Sequence, residues 1–306
     1  MATIGELGEF GLIARLTERL PRGPQVRLGP GDDAAVIAAP DGRVVATTDL
    51  LVEGRHFRRD WSGPCDIGRK AAAQNLADVA AMGARPTALL VGFAAPPGTE
   101  AAWADGLYAG LAAECETAGA SVAGGDVVAA PQVMLAITAL GDLAGGAPLT
   151  RAGARPGDVV AVRGRLGFAA AGLELLTAGR DGPAEVLAAH RRPEPPYAAG
   201  PQARELGATA LLDVSDGLLQ DLAHIAGASG VRIEVESAAV PVAAVLGPDG
   251  LRHALTGGED HAFAGTFPAA VALPPSWTRI GTVAHGTGVR VDGRVPDGGG
   301  WDHFRT

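Results

Sequence analysis

Two α/β domains in tandem are predicted for this chain on three observations. Its apolar content is large enough for two cores, glycine and proline punctuate its middle, and strand-like runs alternate with helical ones on either side. Of 306 residues, 47% are hydrophobic, which suits two domains of ordinary size better than one. The punctuation is Ala144-Gly145-Gly146-Ala147-Pro148, continued through residues 153–157, and it sets a boundary near residue 145. The expected domains are therefore 1–145 and 146–306.

The elements follow from local patterns. Between residues 4 and 20, Ile4, Leu7, Leu12, Ile13, Leu16 and Leu20 recur at mostly helical spacing, and Pro21 with Gly23 ends the run. Two short β-like runs, 34–38 and 44–48, flank a Pro40-Asp41-Gly42 turn. Helices are expected over 66–82 and 99–118, each stopped by a glycine, Gly83 and Gly119. Strands are expected at 88–94, 121–123 and 133–140. Past the boundary the order restarts with a strand at 159–163, helices near 167–179, 185–191 and 198–206, a strand at 210–214 and a helix at 218–226. Strands at 231–236, 262–267 and 278–283 complete the second unit.

Composition excludes several classes of function. The net charge of -9, from 34 acidic and 25 basic residues, offers no footprint for a nucleic-acid partner. Cys65 and Cys115 are too sparse for a disulfide framework, and residues near the start, with Glu6 and Glu9, do not read as a signal peptide. Uncharged stretches after Asp126 and Asp260 are broken by Pro131 and by Pro268, Pro274 and Pro275, which argues against spanning helices. A cytoplasmic protein with no membrane partner is the expectation. Lys70 is the sole lysine, and its GRKAAA setting has no GxxxxGK[ST] frame, so a Walker-type phosphate loop is excluded.

The aspartates carry the chemical signal because several interrupt segments otherwise suited to a core. Asp32 and Asp33 open AAVIAA, Asp49 closes VVATT, Asp78 lies within QNLADVAAMG, Asp126 ends SVAGG, and Asp213 and Asp216 flank Val214 and Ser215. A buried unpaired carboxylate is costly, and with few cations nearby in sequence a divalent metal is the natural counter-charge. Hard oxygen donors suit magnesium, which bridges carboxylates to substrate phosphates. Simpler readings stand beside this one. Residues 31–33 and 124–126 also read as turns, Asp216-Gly217 as a helix N-cap, and Thr47-Thr48-Asp49 as a strand end. His56 reads as a polar loop residue, Arg151 as a solvated loop arginine and Trp301 as an anchor for the C-terminal tail.

In order along the chain stand GELGEFGLI at 5–13, GDDAAV at 31–36, TTDLLVEGRHF at 47–57, NLADVAAMGARP at 75–86, GGD at 124–126, DVSDGL at 213–218 and GGED at 257–260. This set resembles that of the thiamine-monophosphate kinases, within the aminoimidazole-ribonucleotide-synthetase-like superfamily. The resemblance spans nearly the whole chain. It implies the two-domain PurM-like fold: an N-terminal ATP- and metal-binding domain that dimerises through strands, and a C-terminal α/β domain completing a cleft for ATP and several magnesium ions. The implied reaction is phosphoryl transfer from ATP to thiamine monophosphate.

Carried over by motif, Asp33, Thr47, Thr48, Asp49, Asp78, Asp126, Asp213 and Asp216 are implied metal ligands. Tyr108, Gly125, Asp126, Arg151 and Ser215 are implied ATP contacts, and His56, Glu259 and Trp301 are implied contacts of thiamine monophosphate. No catalytic base is implied. One departure stands out, since His261 follows GGED where the family usually has an aromatic. On an extended segment His261 faces the same side as Glu259, so it is expected to reach the thiamine end and tune affinity there. Two rivals remain: another ATP-using enzyme of the superfamily, whose selenophosphate and hydrogenase-maturation branches use cysteines placed unlike Cys65 and Cys115, and a non-catalytic nucleotide-binding protein.

Overall fold

The computed structural model describes residues 2–18, 20–21, 23–29, 35–296, 298 and 300–301. It resolves into two compact units, one of Met1–Val79 with Ala84–Gly146, the other of Ala80–Gly83 with Ala147–Thr306.

In the first unit, α1 (Ile4–Thr17) starts on a capping box. The Thr3 hydroxyl accepts from the Glu6 N–H at 3.2 Å, and the Glu6 carboxylate accepts from the Thr3 N–H at 2.8 Å. Gly8 at φ 68° breaks the helical path, so the uninterrupted helix expected over 4–20 is kinked and ends three residues early. A small antiparallel pair, β1 (Val26–Leu28) and β2 (Val36–Ile37), follows. The main sheet is built from β3 (Val45–Val52), β4 (Arg85–Ala95), β5 (Ser121–Ala129) and β6 (Met134–Asp142), in the order β3-β6-β4-β5. Only β4 and β5 are parallel, and α3 (Ala101–Ala118) makes the crossover between them.

One face of this sheet is closed. Leu51, Leu135, Ile137, Ala139, Leu89, Val91 and Phe93 are all buried there, with α3 and α2 (Pro64–Ala81) supplying the cover. The two helices cross glycine to glycine. A β-carbon on Gly68 would stand 2.0 Å from the Leu107 carbonyl oxygen, and one on Gly110 would stand 2.1 Å from that of Cys65. The opposite face keeps Leu50 55% and Met134 36% exposed.

The second unit is a six-stranded sheet of β7 (Val159–Arg163), β8 (Ala210–Val214), β9 (Arg232–Val235), β10 (Ala262–Phe267), β11 (Thr278–Ala284) and β12 (Gly288–Val291). Its order is β12-β9-β11-β7-β10-β8, antiparallel except for β12 with β9. Around it lie α4 (Phe168–Thr177), α5 (Ala184–Arg191), α6 (Ala199–Glu205), α7 (Leu218–Ser229) and α8 (Gly250–Thr256). A core of Val160, Val162, Leu212, Leu222, Ile225, Ile233 and Ile280 joins the sheet to α7. Among the described residues no helix is long and apolar enough to cross a membrane.

Candidate active site

In the first unit, side-chain alternation along β3 sorts the threonine pair. Thr47 and Asp49 face α2, where the Thr47 hydroxyl donates to Asp78 Oδ2 at 2.8 Å and Gln74 Nε2 donates to Asp49 Oδ2 at 3.1 Å. Gln74 and Asp78 are one helical turn apart and so share a face of α2. Asn75, fully buried, accepts the Asp49 N–H at 3.0 Å and donates to the Ala71 carbonyl at 2.9 Å, which fixes the strand against the helix. Thr48 points the other way, and its hydroxyl donates to the Ile137 carbonyl at 2.9 Å. The strand therefore offers this cluster one hydroxyl, where the sequence offered two. Asp32 and Asp33 lie outside the described residues.

Asp126 is exposed on β5, beside Gly92 in the sheet register. The turn reading of residues 124–126 gives way, because β5 runs straight through them. The reason is Gly125: a β-carbon there would lie 2.0 Å from the Val91 carbonyl oxygen, so the glycine lets β5 approach β4. Its close backbone contact is thus with a strand. Tyr108 is buried against Phe93 at 6.2 Å in an edge-to-face pair, which makes its ring part of the core and not an open nucleotide surface. Burial raises its phenol, and the charge of Asp126 adds to that. His56 sits in the loop after β3, with Nδ1 accepting the Val52 N–H at 3.0 Å. That bond places the ring proton on Nε2.

In the second unit, Asp213 is the next-to-last residue of β8 and Asp216 lies in the turn into α7. The N-cap reading of Asp216 does not hold: Gly217 occupies that position without a side-chain cap. Asp221, one turn into α7, instead accepts the N–H groups of Asp216 and Gly217, both at 3.1 Å. Its carboxyl is pushed up to about 7, first by burial and then by the charge of Asp213, with Asp216 adding to it. The sequence reading missed Asp221. An acidic residue four positions after the DVSDG turn, on the buried face of an amphipathic helix, was the available signal.

The GGED loop is folded tightly onto this turn. A β-carbon on Gly258 would lie 2.2 Å from the Ser215 carbonyl oxygen, and the Glu259 N–H donates to that oxygen at 2.8 Å. Asp260 is buried and caps α4, accepting from Gly167 at 2.5 Å and Ala169 at 2.8 Å; burial pushes its carboxyl up to about 7 against those two bonds. Glu259 and His261 both hold positive φ, 66° and 52°, so the segment is not extended and the two side chains do not share a side. Glu259 lies 3.4 Å from His190, whereas the His261 ring turns inward to Asp213, with Nδ1 to Oδ2 at 2.9 Å. The expectation that His261 reaches the same place as Glu259 is overturned by this geometry.

Of two further residues expected at the site, Trp301 meets this unit's acidic turn, whereas Arg151 lies at the far end of α7. The Trp301 N–H donates to the Asp216 carbonyl at 2.9 Å, leaving the indole 50% exposed. Arg151 has an exposed side chain, and its carbonyl accepts from Ser229 at the end of α7 at 3.1 Å. Among the described residues no three His, Cys, Asp or Glu side chains stand in metal-holding geometry. The donor chemistry fits a hard cation nonetheless. Crowding Asp213, Asp216 and Asp221 carries an electrostatic cost that a divalent ion would remove.

Residues 31–143 match the family AIR synthase related protein, N-terminal domain. A thiamine-monophosphate kinase of Mycobacterium tuberculosis is 48% identical over 99% of this chain and 93% of its own length. The chain belongs to the thiamine-monophosphate kinase family. Solved structures align with most or all of the chain. A thiamine-monophosphate kinase from Stenotrophomonas maltophilia K279a aligns with TM-score 0.80 at 35% identity, covering 92% of this chain and 95% of that one. A structure described as AaThiL complexed with AMPPCP and TMP aligns with TM-score 0.81 at 33% identity, covering 99% of both.

Proposed function

We infer that this chain transfers the γ-phosphoryl group of ATP to thiamine monophosphate, giving ADP and thiamine diphosphate. The observation that carries this reading is the full-length match to kinases of this substrate, one of them described with an ATP analogue and TMP bound. A phosphate monoester with a second pKa of about 6 is already a nucleophile at neutral pH. Its oxygen attacks the γ-phosphorus in line, the bond from that phosphorus to the β-bridging oxygen breaks, and ADP leaves with the electron pair. No general base is needed, and positioning with charge neutralisation supplies the catalysis.

Magnesium, when bound, would neutralise the phosphate charge. Thr47, Asp49, Asp78 and Asp126 of the first unit and Asp213 and Asp216 of the second are the proposed oxygen donors, with Asp221 behind the last two. Gln74 and Asn75 hold Asp49 in place for this role. Asp126, Ser215 and Arg151 are proposed for ATP, with Gly125 and Tyr108 shaping the strand and core behind Asp126. His56, with its proton on Nε2, is proposed to donate to the substrate phosphate. Glu259 and the half-exposed indole of Trp301 are proposed for the thiamine end. A cytoplasmic setting belongs to the same proposal, since both cysteines are free thiols.

ADP release measured with purified protein should require thiamine monophosphate and magnesium together. Free thiamine accepted equally well, or turnover surviving EDTA, would sink the assignment. A homodimer is proposed through the open face of the first unit's sheet, where Leu50 and Met134 are exposed on neighbouring strands. Light scattering at micromolar concentration should give twice the single-chain mass, and Leu50→Asp should shift it toward one chain. A wild-type protein that runs as a monomer would end this part of the proposal.

A further inference from the structure

His261 lies outside the set of groups assigned above to phosphates, metal or thiamine, yet its surroundings are among the most constrained in the second unit. The loop that carries it is clamped at three successive residues: the Glu259 N–H on the Ser215 carbonyl, the Asp260 carboxylate on the N–H groups of Gly167 and Ala169, and the His261 N–H on the Val214 carbonyl at 3.0 Å. Two residues that are not glycine are held in the left-handed region by these clamps, a conformation that persists only where the surroundings over-determine it. Their joint effect is to press the imidazole against Asp213. Both side chains are under 10% exposed, and Nδ1 meets Oδ2 at 2.9 Å.

We propose that His261 is the positioning residue of Asp213, fixing the carboxylate so that its remaining lone pairs are presented to the magnesium that accompanies ATP. The inference rests on the kinase reading above. An ionised carboxylate only accepts, so the Nδ1 atom carries the proton and donates. One donated bond removes the free rotation of the carboxylate about χ2 while leaving the other oxygen available. Phe263, two residues on, is paired with Asp213 across β10 and β8, so the strand register already sets the backbone of Asp213 and the histidine sets its side chain. The role assigned is on the metal side of the reaction, opposite to the one expected from sequence spacing.

Three variants of the full chain test this. His261→Phe keeps a ring and removes the donor. His261→Gln moves the donor to the Nε2 position, and His261→Asn keeps a donor near Nδ1. Magnesium affinity is read by calorimetry with a non-hydrolysable ATP analogue present, a readout independent of turnover. Phe and Gln should weaken magnesium binding by about tenfold to a hundredfold. Asn should stay within about threefold, because the donor it keeps is the one that matters. The Michaelis constant for thiamine monophosphate should be unchanged in all three.

In the wild-type chain, a nitrogen-15 spectrum should show a protonated His261 Nδ1, and this holds whether or not any variant folds. Wild-type magnesium affinity in the Phe and Gln variants, an equal loss in Asn, a shift confined to thiamine monophosphate, or an unprotonated Nδ1 would each overturn the proposal. Absence of wild-type turnover on thiamine monophosphate, with magnesium and analogue still bound, would count against the kinase reading alone.

Discussion

Asp78→Asn and Asp216→Asn are each expected to lower turnover by about a hundredfold or more while leaving the melting temperature within a few degrees of wild type. The amide keeps the size of the carboxylate and loses the charge that a magnesium ion needs. At Asp78 the swap also leaves a partner for Thr47, since an amide oxygen accepts the same hydroxyl proton. At Asp216 two backbone bonds of the turn are kept, its N–H to Asp221 and its carbonyl from Trp301. Steady-state rates across a magnesium titration, with circular dichroism on the same samples, give the measurement. Wild-type rates with unchanged magnesium dependence in both variants would return these aspartates to purely structural roles.

The ordering of carboxylates along the chain was legible because aspartates in apolar runs are conspicuous. What each does was legible only in part. Alternation on a strand could have separated Thr47 from Thr48, but the sequence gives no sign of which face carries the helix. Residues 124–126 read as a turn since glycine pairs usually make one, and tertiary pairing with β4 overrode that preference. Asp221 escaped notice because a carboxylate in a first helical turn ordinarily faces solvent, whereas here it turns back to the N–H groups of Asp216 and Gly217. His261 was placed on the wrong side because period-two reasoning assumes an extended chain, and positive φ at Glu259 and His261 breaks that assumption. The elements that escaped prediction, β1, β12 and α8, are short or flanked by glycine, and their pattern is too brief to show a period.

Gly68→Ala is expected to destabilise the first unit by roughly 3 kcal/mol, lowering its melting temperature by about 10 °C. The added methyl would stand 2.0 Å from the Leu107 carbonyl oxygen and 2.9 Å from the Leu111 nitrogen, both backbone atoms of α3 with no rotamer to yield. Gly110 faces Cys65 in the same way, so neither helix can slide to relieve the other. The helices must separate, and α2 is the helix that presents Gln74, Asn75 and Asp78 to β3. A displacement of about 1 Å there would cost on the order of a hundredfold in rate on top of the stability loss. Gly63→Ala, just ahead of α2 with nothing within 4 Å of the added carbon, is the matched control and should be near neutral. Differential scanning calorimetry of the two variants decides the matter. Equal melting temperatures would show that the crossing of α2 and α3 tolerates a methyl group, and that the glycine pair is not what brings Asp78 to the strand.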